Sequence, residues 1–260
     1  MEGVFMKIAT WNINSIRMRV PRLVQWLERS APDVVCLQET KVVDEEFPFE
    51  PIRKLGYECF VHGQKSYNGV AILARMPAAD IVKSLPGDDF DAQCRLLAAT
   101  IQGIRIINIY APNGSEVGSD KYAYKLDWYR RLRSHLDSSL KAENEVLICG
   151  DFNVVPEDRD VWDPEQWRDK ILFSGPEKEA FHNLIEWGLN DALRIHHQEG
   201  GLYTWWDYRA GAFHRGWGLR IDHILISNPL AKRCVAVEID RNERKGEKPS
   251  DHAPVVATFE

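Results

Sequence analysis

The chain has no Cys-x-x-Cys pair: its five cysteines, Cys36, Cys59, Cys94, Cys149 and Cys234, are odd in number, widely spaced and set mostly among apolar residues. That excludes a disulfide-stapled secreted scaffold and a Cys/His zinc site, and it suits the reduced thiols of a cytoplasmic protein. Long apolar runs are also missing, and Met1 to Lys7 has neither the length nor the character of a signal peptide, so no membrane partner is expected. No Pro/Gly/Ser-rich linker, low-complexity tract or repeat divides the 260 residues, of which 44% are hydrophobic. One domain spanning residues 1–260, with one substantial core, is the expectation. Positive charge is not in excess either, the formal net charge being −6. A generic polycation is thereby excluded, and any contact with nucleic acid has to come from local patches. Residues 121–141 form one, with Lys121, Lys125, Arg130, Arg131, Arg133 and Lys141, and residues 241–248 form another. Each alone reads more simply as a solvated face.

What the chain does have is a series of buried strands that end in polar groups. Val146-Leu147-Ile148-Cys149 runs without interruption into Gly150-Asp151-Phe152-Asn153. A short apolar run of this kind reads as a central strand covered on both faces, and ligands gather outside the carboxyl ends of such strands. Asp151 and Asn153, two apart, project from one side if the chain stays extended. A strand followed by an Asx-type turn explains the stretch equally well.

The pattern recurs. Met6 to Trp11 reads as a strand that delivers Asn12 and Asn14, with Ser15 a helix N-cap and Val20, Leu23, Val24 and Leu27 at helical spacing up to about Ser30. Asp33 to Gln38 is a second buried strand, ending in Glu39. Weak helical character over residues 48–55 is followed by strands at 57–61 and 70–74. Residues 96–101 and 104–109 flank Gln102-Gly103 as a hairpin whose second strand leads into Tyr110 and Asn113. A helix over 121–140 carries Leu126, Tyr129, Leu132 and Leu136 on one face. Short helices near 164–168 and 177–187 precede a strand over 221–227 that opens with Asp222-His223, and a last strand over 253–259 follows Ser250-Asp251-His252. Strands and helices alternate without a repeat, which implies an α/β layered fold with mixed sheets.

Collected together, the strand-end residues are Asn12, Glu39, Tyr110, Asp151, Asn153, Asp222, Asp251 and His252. Hard oxygen donors dominate, which suits Mg²⁺ or Mn²⁺ with substrate phosphate. One histidine beside acids, with such an ion, is the equipment for attacking a phosphodiester with activated water.

Six ordered segments then carry a resemblance: Thr10 to Arg17, Leu37-Gln38-Glu39-Thr40-Lys41, Asn108 to Gly114, Gly150-Asp151-Phe152-Asn153, Leu219 to His223 and Lys248 to Pro254. Together they resemble exonuclease III, the apurinic/apyrimidinic endonuclease branch of the endonuclease/exonuclease/phosphatase superfamily, over essentially the whole chain. The resemblance implies a four-layered α/β sandwich in which two packed mixed β-sheets are flanked by helices. It also implies roles. Glu39 binds Mg²⁺, which Mn²⁺ replaces, with Asn12 and Asp251 nearby; His252, oriented by Asp222, contacts the scissile phosphate. Asp151 positions or deprotonates the attacking water, Asn153 holds a phosphate oxygen and Tyr110 stabilises the phosphate or leaving group. Ser15 departs from the family, which usually carries glycine there, and Asn14 stands where some relatives carry an acid.

By similarity, Trp205 lines a slot for an extrahelical abasic sugar, with Leu219 and Ile221 as neighbours, while Trp206 reads as core. Trp217, in the loop Arg215-Gly216-Trp217-Gly218, is expected to wedge against DNA, and Asn113 to touch the phosphate. Arg17, Lys41, Arg95 and Lys121 are expected on DNA phosphates by their loop positions. The implied activity is a monomeric enzyme's Mg²⁺-dependent incision 5′ to abasic sites in duplex DNA, with 3′→5′ exonuclease action and cleaning of damaged 3′ ends. Sister branches that act on other phosphoesters typically have histidine where this chain has Tyr110. A catalytically silent DNA-binding protein on the same fold is disfavoured by the intact Glu39, Asp151, Asp222 and His252.

Overall fold

The computed structural model describes residues 5–85 and 93–260; the first four residues of the segment read above for a leader lie outside it. Twelve strands among the described residues form two six-stranded sheets. The chain opens with β1 (Met6–Asn12), α1 (Ile16–Ser30), β2 (Val34–Gln38), α2 (Phe49–Arg53), β3 (Glu58–His62) and β4 (Val70–Ala74). Next come β5 (Ala78–Lys83), β6 (Leu96–Ile101), β7 (Ile104–Tyr110), α3 (Asp120–Ser139), β8 (Val146–Asp151), α4 (Pro164–Trp167) and α5 (Gly175–Ile185). The chain closes with β9 (Leu189–Asp191), α6 (Ala192–His196), α7 (Ala212–Arg215), β10 (Asp222–Ser227), α8 (Asn228–Ala231), β11 (Cys234–Ile239) and β12 (Val255–Phe259).

The first sheet runs β11-β12-β1-β2-β4-β3 and the second β5-β6-β7-β8-β10-β9. Each contains one parallel pair, β1–β2 or β7–β8, joined by a long helix, and antiparallel neighbours on both sides. This is the mixed α/β sandwich expected. Its central strands are wholly buried because their inner face meets the other sheet and their outer face meets a helix. Ile8, Val34, Ile72, Ile106, Leu147 and Ile224 belong to the cluster between the sheets. Trp26 and Leu27 of α1 pack with Ala9 and Val35, and Trp128 and Leu132 of α3 with Ile107 and Ile148, on the two outer faces. One polar bolt crosses the apolar middle: Asn108 Nδ2 donates to the carbonyls of Leu37 and Ala71, both at 2.9 Å, while Asn108 Oδ1 accepts from Gln38 Nε2 at 2.7 Å. Its satisfied donors make this buried amide tolerable there.

Three local readings need correction. Ser15 does not cap α1 with its side chain; it sits at φ 83°, a backbone region glycine occupies more easily. On α3 the buried face is Tyr122, Lys125, Trp128, Tyr129, Leu132 and Leu136, so Lys125 and not Leu126 takes the core position. The strands β5 and β11 lie where no strand is expected from the sequence, because both are sheet edges with largely exposed or mixed faces.

Behind β10 lies a buried charge network. Arg220 donates to both oxygens of Asp160, from Nε at 2.6 Å and from Nη2 at 2.9 Å, and to Asp191 at 2.7 Å. It also donates to His223 Nδ1 at 3.0 Å, which leaves Nε2–H to donate to the Val154 carbonyl at 2.9 Å. Burial and the neighbouring guanidinium push His223 down to about 4. Its folded value lies below the ordinary one, so the unfolded chain takes up the proton first as pH falls, and the stability that depends on a neutral His223 is lost between about pH 6.5 and pH 4. The unfolding free-energy difference between the parent protein and His223→Asn is therefore expected to shrink by about 2 kcal/mol from pH 7 to pH 5. Urea titrations at the two pH values measure it, and a pH-independent difference would contradict the assignment.

Candidate active site

The sheet topology brings the expected residues to one edge. Carboxyl ends of the parallel pairs and amino ends of their antiparallel neighbours fall on the same side, so Asn12 and Glu39 follow from the first sheet, and Tyr110, Asp151 and Asp222 from the second. Register fixes the last three directly: Asp151 lies opposite both Tyr110 and Asp222. Gly150 has φ 145°, and a Cβ there would stand 1.9 Å from the Ile109 carbonyl oxygen, so only glycine permits the close approach of β8 to β7 just before Asp151.

Positive φ angles cluster where the chain leaves these strands. Asn14 (φ 44°), Ser15 (φ 83°), Glu39 (φ 52°), Lys41 (φ 57°) and Asn153 (φ 51°) all adopt it. Such backbone costs about 1–3 kcal/mol per residue and persists only where neighbours over-determine it. Here they do: Ile13 N donates to the Gln38 carbonyl at 3.0 Å, Ser15 N to Glu39 at 2.7 Å, and Ile16 N to Thr40 at 3.1 Å, locking the two loops together. Ser250 Oγ donates to the Asn12 carbonyl at 2.7 Å and accepts from His252 N at 3.2 Å. Thr204 Oγ1 accepts from the backbone of Ile221 and Asp222, which anchors the second sheet's contribution.

Asp151 and Asn153 converge through a turn and not through an extended strand. Asn153 N donates to Asp151 Oδ1 at 2.9 Å, an Asx-type closure, and its side-chain amide donates to the Ala111 carbonyl at 3.0 Å. Asn113 Nδ2 donates to Asn153 Oδ1 at 3.0 Å, so the two amides expected near phosphate touch each other. Asn12 Nδ2 donates to Glu39 Oε1 and to Asp151 Oδ2, both at 2.8 Å, while its oxygen accepts from Asn14 N. In this arrangement Asn12 is a donor that holds two carboxylates together. His252 Nδ1 donates to Asp222 Oδ2 at 2.9 Å, and its Nε2 lies 3.8 Å from Asp151 Oδ2.

Charge is concentrated in a nearly dry space. Burial first, then the carboxylates of Asp222 and Glu39, push Asp151 up to about 7 against the opposing effects of His252 and Asn12. For His252 burial acts downward, but the charge and hydrogen bond of Asp222, with Asp251 and Asp151 behind, lift it to about 10. Tyr110 is raised well above the ordinary phenol value by burial and by Glu39 and Asp151, against Arg95, so it remains a hydroxyl donor at neutral pH. Desolvation acts upward on the half-buried Asp251 too, yet it stays below the usual carboxylate value because His252, Asn14 and Trp205 favour its charge.

Carboxylate oxygens of Glu39 and Asp151 and a ring nitrogen of His252 lie within 4.8 Å of one another, and this acidic cluster has donors suited to a hard divalent cation. Asp251 is not in that group. Its oxygens accept from Asn14 Nδ2 at 2.8 Å and Trp205 Nε1 at 3.0 Å. Trp205 is half-buried over a floor to which Leu219 and Ile221 belong; at 0% and 2% exposure these two offer a DNA strand almost no surface. Trp206 is core, as expected. Trp217 stacks on Trp162 with ring centroids 4.9 Å apart, and Arg215 lies over it.

The four expected phosphate contacts divide. Lys41 Nζ sits inside the site, 2.7 Å from Glu39 and 2.6 Å from Asn14 Oδ1. Arg95 lies over the Tyr110 ring, and with Lys121, Asn113 and Tyr67 it lines a groove of about 480 Å³. Arg17, by contrast, is exposed and paired with Glu46. Within the basic stretch 121–141, Arg130 and Arg131 pair with Asp127 and Arg133 with Asp137. Those three are largely offset by acids on the same helix face.

Two groups of site-supporting residues escaped the sequence reading. Arg220 lies within the Leu219 to His223 segment but its role was not readable there, because its partners Asp160 and Asp191 are remote in sequence. Lys125 gave a signal that was available: stepping back from Leu132 and Tyr129 by three and four residues places it on the core face.

A two-sheet sandwich with carboxylates, amides and an Asp-paired histidine gathered at one edge defines a class of phosphoester hydrolases. The chain belongs to the Endonuclease/Exonuclease/phosphatase family, whose model matches residues 9–252. Within that family it is 40% identical to exodeoxyribonuclease III of Haemophilus influenzae over 98% of this chain and 100% of that protein. Among solved structures it is similar to the 3′ phosphatase NExo from Neisseria bound to a product DNA hairpin, with 43% identity and a TM-score of 0.95 over 98% of this chain and 99% of that one. An AP endonuclease from Archaeoglobus fulgidus also matches, at 40% identity and a TM-score of 0.95 over 98% of this chain and 99% of that one. Among the described residues no helix is long and apolar enough to cross a membrane.

Proposed function

We propose that this protein is a DNA-repair nuclease that hydrolyses the phosphodiester 5′ to an abasic site in duplex DNA, with 3′→5′ exonuclease and 3′-end-cleaning activity, working with Mg²⁺ or Mn²⁺ as a monomer in the cytoplasm. The observation that carries this reading is the meeting, at one edge, of the Asp222–His252 pair with Asp151, Asn153, Asn12 and Glu39. Names of relatives, an exodeoxyribonuclease III, an AP endonuclease and a 3′ phosphatase, support the substrate class.

Chemically, a water oxygen bonds to phosphorus and the P–O3′ bond breaks, leaving a 3′-hydroxyl on one fragment and a 5′-phosphate on the abasic sugar. Asp151, raised toward neutrality, is matched to accept the water's proton. His252 is a cation fixed by Asp222 and donates to the charge that develops on phosphate. Asn153 and Asn113 present amide donors to phosphate oxygens, and the Tyr110 hydroxyl donates beside the leaving oxygen. Glu39 would hold the divalent ion, with Asn12 and Asp251 close by, and the ion supplies neutralisation of phosphate charge when bound. A histidine kept cationic is not free to ligate it and Asp151 is occupied as the base, which leaves the Glu39 carboxylate of the acidic cluster for that task.

Incubating an abasic duplex with the protein in Mg²⁺, with and without EDTA, tests the reading. Incision 5′ to the lesion that chelation abolishes is expected; no incision in Mg²⁺, or cutting untouched by EDTA, overturns it. Parallel recessed 3′ and 3′-phosphate substrates apportion the activities.

A further inference from the structure

Lys125 is 0% exposed, deep at the root of α3, and all of its ammonium donors are used. Nζ donates to the backbone carbonyl of Asn113 at 3.1 Å, to that of Asn153 at 2.6 Å, and to Glu177 Oε1. The two carbonyls belong to the residues whose side-chain amides meet at the phosphate end of the site. Glu177, also 0% exposed, is held in turn: it accepts from Leu172 N at 3.0 Å, Ser174 N at 3.1 Å and Ser174 Oγ at 2.6 Å, and Ser174 Oγ meets Tyr122 OH at 2.7 Å. Tyr122 returns the network to α3, one turn from Lys125. Gly114, at φ 91°, leaves room for the lysine stem, since a Cβ there would lie 3.1 Å from Lys125 Cδ and 2.9 Å from Ile171 Cδ1.

An ion pair this deep is weak grounds for stability, because desolvating both charges offsets their attraction. Its geometry serves something else. Two loops from different strands of the second sheet have their backbones clasped by one three-pronged donor, while the positive φ of Asn153 keeps that loop from relaxing into ordinary conformations.

We infer that Lys125, buttressed by Glu177, is a positioning residue for the nuclease reaction: it fixes the Asn113 and Asn153 amides on the scissile phosphate without touching substrate. The inference rests on the nuclease reading of the site, which the parent protein's own incision of an abasic duplex checks separately.

The test is a double-mutant cycle in single-turnover incision. Lys125→Met alone strands a buried carboxylate, so the pair Lys125→Met/Glu177→Gln is used as well; glutamine preserves an N3 capping partner for Ser174. The paired variant is expected to keep its thermal midpoint within a few degrees and its duplex Kd within about threefold, while the single-turnover rate falls by about 10- to 100-fold, the scale of a small misplacement at a reacting centre. In an Asn113→Ala/Asn153→Ala background the same pair is expected to cost less than about threefold, since the groups it positions are gone. Full additivity of the two losses, or a folded paired variant with the parent rate, overturns the inference. An inactive parent protein would instead overturn the nuclease reading.

Discussion

Asp151→Asn is expected to lower incision of an abasic duplex by about 10³-fold while leaving duplex affinity within a few-fold of the parent, because general-base catalysis is worth about 10²–10⁴-fold and phosphate contacts come from other residues. The substitution keeps the shape of a side chain that is 1% exposed, and it removes the one carboxylate pushed toward neutral pH between Asn12 and the His252 ring. Measuring rate and Kd over a Mg²⁺ titration separates the two jobs a carboxylate can do here. A base that is lost gives a low rate at every Mg²⁺ concentration. Recovery of most activity at high Mg²⁺ would show instead that Asp151 shares the ion with Glu39, and the base role would fall.

Asp222→Asn comes next, with an expected loss of about 10²-fold and a change in pH dependence. His252 is protonated at neutral pH because Asp222 overcomes the cost of burying its charge. The protonated form is complete below its pKa and disappears as pH rises through it. With the Asp222 charge removed, that pKa drops, so the alkaline limb of the pH–rate profile is expected to move toward acid by at least about one unit. A lower rate with an unmoved alkaline limb would mean that Asp222 only orients the ring.

Much of this arrangement was legible because the central strands are apolar on both faces and each stops at a polar residue. Val146 to Cys149 could hardly lie anywhere but between two layers, and Asp151 then had to emerge at an edge. The edge strands Ala78–Lys83 and Cys234–Ile239 carry no such constraint, as half their residues face outward, and the sequence did not disclose them. Within the site, residue types were readable but their partners were not. Asp251 read as a neighbour of the ion, but that its oxygens accept from Asn14 and from Trp205, 237 and 46 positions away, could not be read from the chain. Lys125 looked like one more surface cation on a basic helix, and its helical phase was masked by the adjacent Leu126.

The polar bolt of Asn108 and Gln38 runs between sheets that each carry half of the chemistry. Asn12, Glu39 and His252 come from one, Tyr110, Asp151, Asn153 and Asp222 from the other, and the His252–Asp222 bond spans the seam. Neither half contains a histidine cation with its counter-charge, or the full carboxylate cluster. A chain whose synthesis has not yet reached His252, or one whose sheets have separated, therefore lacks a complete site: the chemistry exists only where both sheets are in place.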